Sequence, residues 1–339
     1  MRVAEIDERE LSVLRGEIER AALRVGEVKR RRGQWIVDER AVLGRFCPAR
    51  QDQDDGGGGR EGANGVRRHH HKAKCNAAVS SFGVRMTANR FSLDGNVALV
   101  TGGTRGIGKA IALAFAEAGA RVMVASRKPE AVESTVKELQ AAGANAEGIA
   151  ANVGKPGEAK RLVDATVSAF GDIGILVNNA AVNPVFGPVE NTGTDAFDKI
   201  IAVNVRAPFD LAKEARPHFI SRGGGVVLNI ASIGAITPDA GLGIYSVSKA
   251  ALVSLTQVLA KEWGKDKIRA NAICPGLIRT DFSSTLWQNE RILAHMMNRQ
   301  AIPTLGEPDD IAGLALFLCS DAGRFCTGGI HMADGGYTA

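Results

Sequence analysis

Tyr245 and Lys249 stand four residues apart in the run YSVSK, a pair of types that can move a proton. On a helix, positions i and i+4 share a face, so the ammonium of Lys249 would sit beside the phenol of Tyr245. A free tyrosine titrates near about 10 and is a poor acid or base at neutrality, but an adjacent cation favours its phenolate. Spacing alone is equally that of an ordinary surface pair. Company raises it: Ser232 closes the apolar run GGVVLNIAS thirteen residues earlier, and Asn204 lies upstream in IAVNVRAP.

A second constellation would hold a nucleotide. TGGTRGIG, from Thr101 to Gly108, sets glycines at 102, 106 and 108 between an apolar run and an Ala-rich stretch. Glycine permits a tight turn and close approach to a pyrophosphate, and a following helix offers its N-terminal amides to the phosphates. Alone such a loop is a weak signal; between a strand and a helix it is stronger. The next apolar run ends in Ala125, Ser126, Arg127 and Lys128, where the adenosine ribose of a dinucleotide would lie. A carboxylate there would bind a free 2′-hydroxyl. Cations, with Arg105 opposite, suit a 2′-phosphate instead, so NADP(H) is favoured; NAD(H) stays open if these are solvated surface charges.

Such groups need a frame that gathers them at one edge. Seven short apolar runs supply it: VALVTGG (97–103), RVMVASR (121–127), AEGIAANV (146–153), ILVNNAA (175–181), GGVVLNIAS (224–232), IRANAICPG (268–276) and GIHMADGG (329–336). They alternate with helical stretches such as KAIALAFAEAG (109–119) and SKAALVSLTQVLAKEWG (248–264). The alternation predicts an α/β fold: a single doubly wound, Rossmann-type parallel sheet with helices on both faces. Ligands of such sheets bind at the carboxyl ends of the strands.

The chain has 339 residues, 45% hydrophobic and 23% charged, with a net charge of +5. The charge excess falls entirely within residues 1–85; the remainder is balanced, which argues against nucleic-acid binding by the folded part. Five sparse cysteines without CxxC spacing argue against a disulfide framework or a zinc site and for a reducing compartment. His218, His295 and His331 have no ligand-like spacing and are read as structural or surface residues; no metal is expected. No apolar run approaches the roughly 18 residues that span a bilayer, so the chain is read as soluble and cytoplasmic.

Residues 1–85 are expected to be an N-terminal extension. Leu11, Leu14, Ile18, Ala21, Val25 and Val28 fit one stripe of a short helix, and QDQDDGGGGREGANGV (51–66) is expected to be disordered. His69, His70, His71 and Cys75 offer metal-binding types without a preformed geometry. At Met86 the character changes, and residues 86–339 are expected to form the Rossmann-fold catalytic domain, with translation starting at Met86 as one explanation of the extension.

Over about residues 91–339 the sequence resembles the short-chain dehydrogenase/reductase family through TGGTRGIG, NNAA (178–181), Asn204, Ser232, YSVSK and PGLIRT (275–280). NNAAVNPVFG (178–187) and PGLIRTDFSSTLW (275–287) are most similar to its NADP-dependent carbonyl reductases related to dehydrogenase/reductase family member 4. The resemblance implies that Tyr245 exchanges a proton with the substrate oxygen, that Lys249 lowers the phenol pKa and holds the nicotinamide ribose, that Ser232 hydrogen-bonds the substrate oxygen, and that Asn204 holds a relay water. It implies cofactor contacts at Gly102, Arg105, Gly106, Ile107 and Gly108; at Ser126, Arg127, Asn152 and Val153; at Asn178 and Ala180; and at Pro275, Gly276, Ile278 and Thr280, besides Tyr245 and Lys249. Ala181 replaces the family's usual glycine, and Asn152 a usual aspartate, its side-chain carbonyl still able to accept the adenine amine.

The function expected is reversible, NADP(H)-linked reduction of a small-molecule ketone or aldehyde to its alcohol. Its closest rivals are a 3-oxoacyl thioester reductase, a glucose-type sugar dehydrogenase, and a catalytically vestigial cofactor-binding regulator. Residues 282–303 correspond to the family's substrate loop. Leu286, Trp287, Met296 and Met297, with Val185, Phe186, Ile233 and Leu242, would make an apolar pocket, or would pack into the core or a subunit interface. Partners implied are that substrate and further copies of the chain in a homotetramer, with no membrane and no nucleic acid.

Overall fold

The computed structural model describes residues 90–339 and, earlier in the chain, only the backbone of two short strands. The chain divides into two units, Met1–Phe82 and Gly83–Ala339. In the first, β1 (Val28–Arg31) pairs antiparallel with β2 (Gln34–Val37). Val28, expected to close a helical stripe, therefore opens a strand. The rest of that stripe, the glycine-rich tract 51–66 and His69–Cys75 lie outside the described residues.

The second unit is built on seven parallel strands: β3 (Val97–Thr101), β4 (Arg121–Ser126), β5 (Ala146–Ala150), β6 (Ile175–Asn178), β7 (Gly225–Ile230), β8 (Ile268–Pro275) and β9 (Ile330–Ala333). Their order is β5-β4-β3-β6-β7-β8-β9. The chain therefore builds outward from β3 to β5, then returns to place β6 on the other side of β3. That reversal leaves a crevice beyond the carboxyl ends of β3 and β6.

Successive residues of a strand face opposite sides, and here both sides are apolar. Ala98, Val100, Val122 and Val124 pack with Ile111 and Phe115 of α1 (Gly106–Glu117) and with Ile311, Ala315 and Leu318 of α9 (Pro308–Cys319). Their neighbours Val97, Leu99, Met123 and Ala125 face the other way, onto α3 (Glu158–Phe170), α5 (Ala207–Ser221) and α6 (Gly243–Trp263). Burying each large apolar side chain contributes about 1.5–3 kcal/mol. This two-sided burial explains why the strands read as continuous apolar runs.

α2 (Pro129–Ala141), α4 (Thr194–Ile201), α7 (Ser284–Trp287) and α8 (Glu290–Arg299) complete the helices. α6 buries Tyr245, Ser246, Ser248, Lys249, Leu252, Val253, Thr256, Leu259, Ala260 and Trp263, all but Ser246 on one stripe at spacings of three and four. It begins five residues before the helix expected at 248, so Tyr245 lies inside its first turn. The segment Gly243–Asp266 is long and apolar enough to cross a membrane by length and composition, contrary to the expectation that no run approaches that length. Half of its apolar window is buried inside the unit, the placement of a core helix.

Candidate active site

The glycine loop is fastened from below. Thr101, buried at the end of β3, accepts hydrogen bonds at its hydroxyl from the backbone N–H groups of Asn179 (3.1 Å) and Ala180 (3.2 Å), and donates to Val177 O. The Asn179 amide donates to Thr101 O and Gly102 O at 3.0 and 3.1 Å. Gly102 takes φ +65°, and a Cβ there would sit 2.8 Å from that amide, so the turn requires glycine. Thr104 Oγ1 donates to Ser126 Oγ at 3.0 Å, joining the loop to the end of β4. Beyond the loop α1 opens with no acidic residue in its first turn, leaving its positive end free for an anion.

A cavity of about 880 Å³ extends from this loop to the start of α6. Of the expected contacts it is lined by Gly102, Arg105, Gly106 and Ile107; by Ser126, Arg127, Asn152, Val153 and Ala180; and by Pro275, Gly276, Ile278 and Thr280. Ser232, Tyr245 and Lys249 line the same space. Its glycine cradle and helix N-terminus suit a dinucleotide.

Gly108 and Asn178, also expected as contacts, are not among the residues lining the cavity. A Cβ on Gly108 would collide with Gly102 O and the Asn179 amide, so its glycine serves the close packing of loop on helix. Asn178 is buried in the sheet, its amide donating to Asn229 Oδ1 at 2.9 Å, with Asn229 passing on to Thr256 Oγ1. Asn152 Oδ1 already accepts the Gly154 N–H at 3.2 Å, leaving one lone pair for an adenine amine.

Asn204 is buried and its side chain is committed. Oδ1 accepts from Val182 N at 2.9 Å, while Nδ2 donates to Val182 O and to Ser248 Oγ, both at 3.0 Å. The side chain thus clamps the N-terminal part of α6 to the chain after β6, and Oδ1 keeps one lone pair. Asn204 sits in a π-helical turn, Ala202–Arg206, where the N–H of Ala207 bonds to Ala202 O, between α4 and α5. Such single wide turns recur at functional sites.

Ser232 caps a short 3₁₀ turn, its Oγ accepting from Gly234 N at 3.1 Å. Lys249 Nζ donates to Ile230 O at 2.7 Å and lies 5.6 Å from the Tyr245 ring centroid. The expected lowering of the phenol pKa is reversed here. Burial pushes Tyr245 up to about 12, against a hydrogen bond with Ser232 that pulls the other way. Burial brings Lys249 down to about 8. Both groups are desolvated together, and desolvation disfavours whichever form carries charge.

At the far end of the cavity, Phe186, Ile233, Leu242, Leu286 and Met296 line the wall, while Val185, Trp287 and Met297 do not. Trp287 Nε1 instead donates to Thr280 O at 3.0 Å, with Arg279 stacked 5.4 Å from its ring. His295, read as structural or surface, lines the mouth beside Arg291 on α8. Sequence reasoning missed Thr101, Asn179 and Ser248; the second asparagine of NNAA was the available signal.

Residues 102–338 match the family model described as enoyl-(acyl carrier protein) reductase. Dehydrogenase/reductase SDR family member 4 of Sus scrofa is 44% identical over 247 residues, 73% of this chain and 88% of its own length. A 7α-hydroxysteroid dehydrogenase complexed with NADH and 7-oxo glycochenodeoxycholic acid is 35% identical, with TM-score 0.71, over 74% of this chain and 96% of its own. A gluconate 5-dehydrogenase from Burkholderia cenocepacia J2315, in complex with NADP and tartrate, is 30% identical, with TM-score 0.71, over 74% and 98%.

Proposed function

The chain belongs to the short-chain dehydrogenase/reductase family of oxidoreductases, and from that premise we propose that it interconverts a hydrophobic ketone or aldehyde with its alcohol, using NADP(H). One observation carries the reading: Tyr245, Ser232 and Lys249 line the same cavity as the glycine loop.

A nicotinamide dinucleotide bound there supplies the hydride. The chain's own groups do the rest. Ser232 Oγ accepts from Gly234 N, which orients the hydroxyl, and its proton, shared with the Tyr245 oxygen here, would turn to the substrate oxygen. Tyr245, held up to about 12 by burial, is in its acid form at neutrality and can protonate that oxygen as negative charge develops. Lys249, steadied by Ile230 O, would hold ribose hydroxyls and stabilise the phenolate left behind. Asn204 is a positioning residue, fixing the turn that carries both Tyr245 and Lys249.

NADP(H) is supported by Ser126 and Arg127 at the end of β4 and by Arg105, whose exposed pair with Asp281 is long at 3.5 Å. An exposed pair of this kind is weak, so the guanidinium can turn to a phosphate. The relatives divide on this point, one binding NADP and another NADH. The apolar lining of the far end favours a hydrophobic carbonyl over a free sugar. A homotetramer in the cytoplasm is part of the same proposal, supported by the resemblance and by the free buried thiols of Cys274 and Cys319, which suit a reducing compartment.

The test is a titration with NADPH and NADH followed by turnover on hydrophobic ketones, dicarbonyls, acyl thioesters and glucose, for wild type and Tyr245→Phe. Loss of the phenolic proton should lower kcat about 10²–10⁴-fold with coenzyme affinity nearly unchanged. A variant as active as wild type would remove Tyr245 from the chemistry. Preferential turnover of thioesters or glucose would reassign the substrate.

A further inference from the structure

Three segments distant in sequence meet at the substrate end of the cavity. α8 presents Ile292 and Met296, and the loop before α6 presents Asp239 and Leu242. The third, Asp334–Thr338 after β9, does not line the cavity but joins the other two from behind. Tyr337 is buried there. Its hydroxyl accepts from Arg299 Nη1 at 2.9 Å and donates to Asp239 Oδ2 at 3.2 Å, using both of its hydrogen-bonding capacities. The Arg299 guanidinium stacks 4.4 Å from the Tyr337 ring centroid. Gln300 Nε2 donates to Asp334 O at 3.0 Å and Ile302 N to Gly335 O at 2.8 Å, seating the end of α8 on this turn.

What makes the link matter is how little else holds α8. The helix has no buried residue, so core packing does not fix its distance from the Asp239 loop. Among the described residues, the hydrogen bonds and ion pairs between α8 and that loop all pass through Arg299, Asp239 and Tyr337. Without the hydroxyl, Arg299 and Asp239 would face each other at 3.8 Å as a half-exposed ion pair, an arrangement of little strength.

We propose that Tyr337 is a positioning residue whose hydroxyl ties α8 to the Asp239 loop and so sets the width of the substrate end, and with it the bulk of carbonyl compound admitted. The part concerning substrate bulk rests on the carbonyl reading; the tie itself does not. The Tyr337 side chain bonds to Arg299 and Asp239 and not to Ser232, Tyr245 or Lys249, so its effect should reach KM rather than the chemical step.

Tyr337→Phe keeps the ring and its stacking and removes only the hydroxyl. Hydrogen exchange on the full chain should quicken about tenfold over 290–302 and stay unchanged in β3, β6 and β7. Across ketones of graded bulk, kcat/KM for the bulkiest relative to the smallest should shift about three- to tenfold through KM, with NADPH affinity unchanged. Arg299→Leu should reproduce both effects and Arg299→Lys should restore part of them. Unchanged exchange over 290–302 would overturn the tie, and so would faster exchange spread over the whole sheet, which would mark a general structural role. If wild type reduced none of the ketones, the carbonyl reading would fail while exchange alone still decided the tie.

Discussion

The two ends of the cavity are held by different means. At the coenzyme end, the glycine loop is bonded to buried strands through Thr101 and the Asn179 amide, and its floor is the fully buried β3. At the substrate end, α7 and α8 bury no residue, and Phe186, Phe282 and Ile292 stand partly exposed. Opening the first end would break bonds to the sheet; opening the second would break a few polar links. A site that binds one fixed ligand and also sorts variable ones can thus be stiff where the ligand is fixed and yielding where it varies.

The contrast can be broken most severely at its stiff end. Gly108→Val would push branched carbon into Gly102 O and the Asn179 amide, displacing the loop. NADPH affinity, read by fluorescence titration, should fall more than about 100-fold, overpacking of this kind costing roughly 1–3 kcal/mol or more. An unaffected affinity would mean that the loop is not the coenzyme seat.

At the boundary between the ends, Lys249→Met should separate function from stability. Lys249 titrates at about 8 when folded against an ordinary 10.5. Between those values the unfolded chain binds a proton that the folded chain does not, so the wild type gains stability as pH rises through this window. Below it the burden of the buried ammonium is fully in place. At pH 7 the methionine variant should be more stable by about 2 kcal/mol in urea denaturation, after allowance for the orphaned Ile230 carbonyl. The difference should shrink as pH climbs from 8 to 10.5, with turnover nearly abolished throughout. Equal stability at pH 7 would show that the ammonium is well solvated.

The smallest effect belongs to the yielding end. Leu286→Ala trims a half-exposed wall residue and should change KM for a hydrophobic ketone by about threefold or less, roughly 1 kcal/mol or under for partial apolar burial. A change of kcat instead would place Leu286 nearer the chemistry than its lining position suggests.

Legibility in the sequence followed the same division. The seven strands were readable because Val97 and Leu99 face one helical layer while Ala98 and Val100 face the other, so both registers are apolar. The glycine loop and the Tyr245–Lys249 pair were readable because their geometry is local. The packing role of Gly108 and the bond from Asn178 into the Asn229–Thr256 chain were not readable, because both are tertiary facts. The direction of the Tyr245 shift depended on how deeply α6 sinks, which spacing does not report. Tyr337 gave no signal, since Arg299 and Asp239 lie 38 and 98 residues away from it.

The wide turn at Asn204 has one more implication. Between Thr194 and Ser221 the chain is one helical rod whose π-helical stretch Ala202–Arg206 includes the i to i+5 bond from Ala207 N to Ala202 O, in effect one surplus residue. Excising that residue would cost the rod no hydrogen-bonded turn, yet everything on one side of the cut would swing about 100° around the axis. Leu211, Ala212, Ala215 and Phe219 hold α5 on the sheet, so the swing would fall on the α4 side and carry Asn204 away from Val182 and Ser248. The surplus residue is thus what lets one rod keep its core face on the sheet and still aim Asn204 at the start of α6.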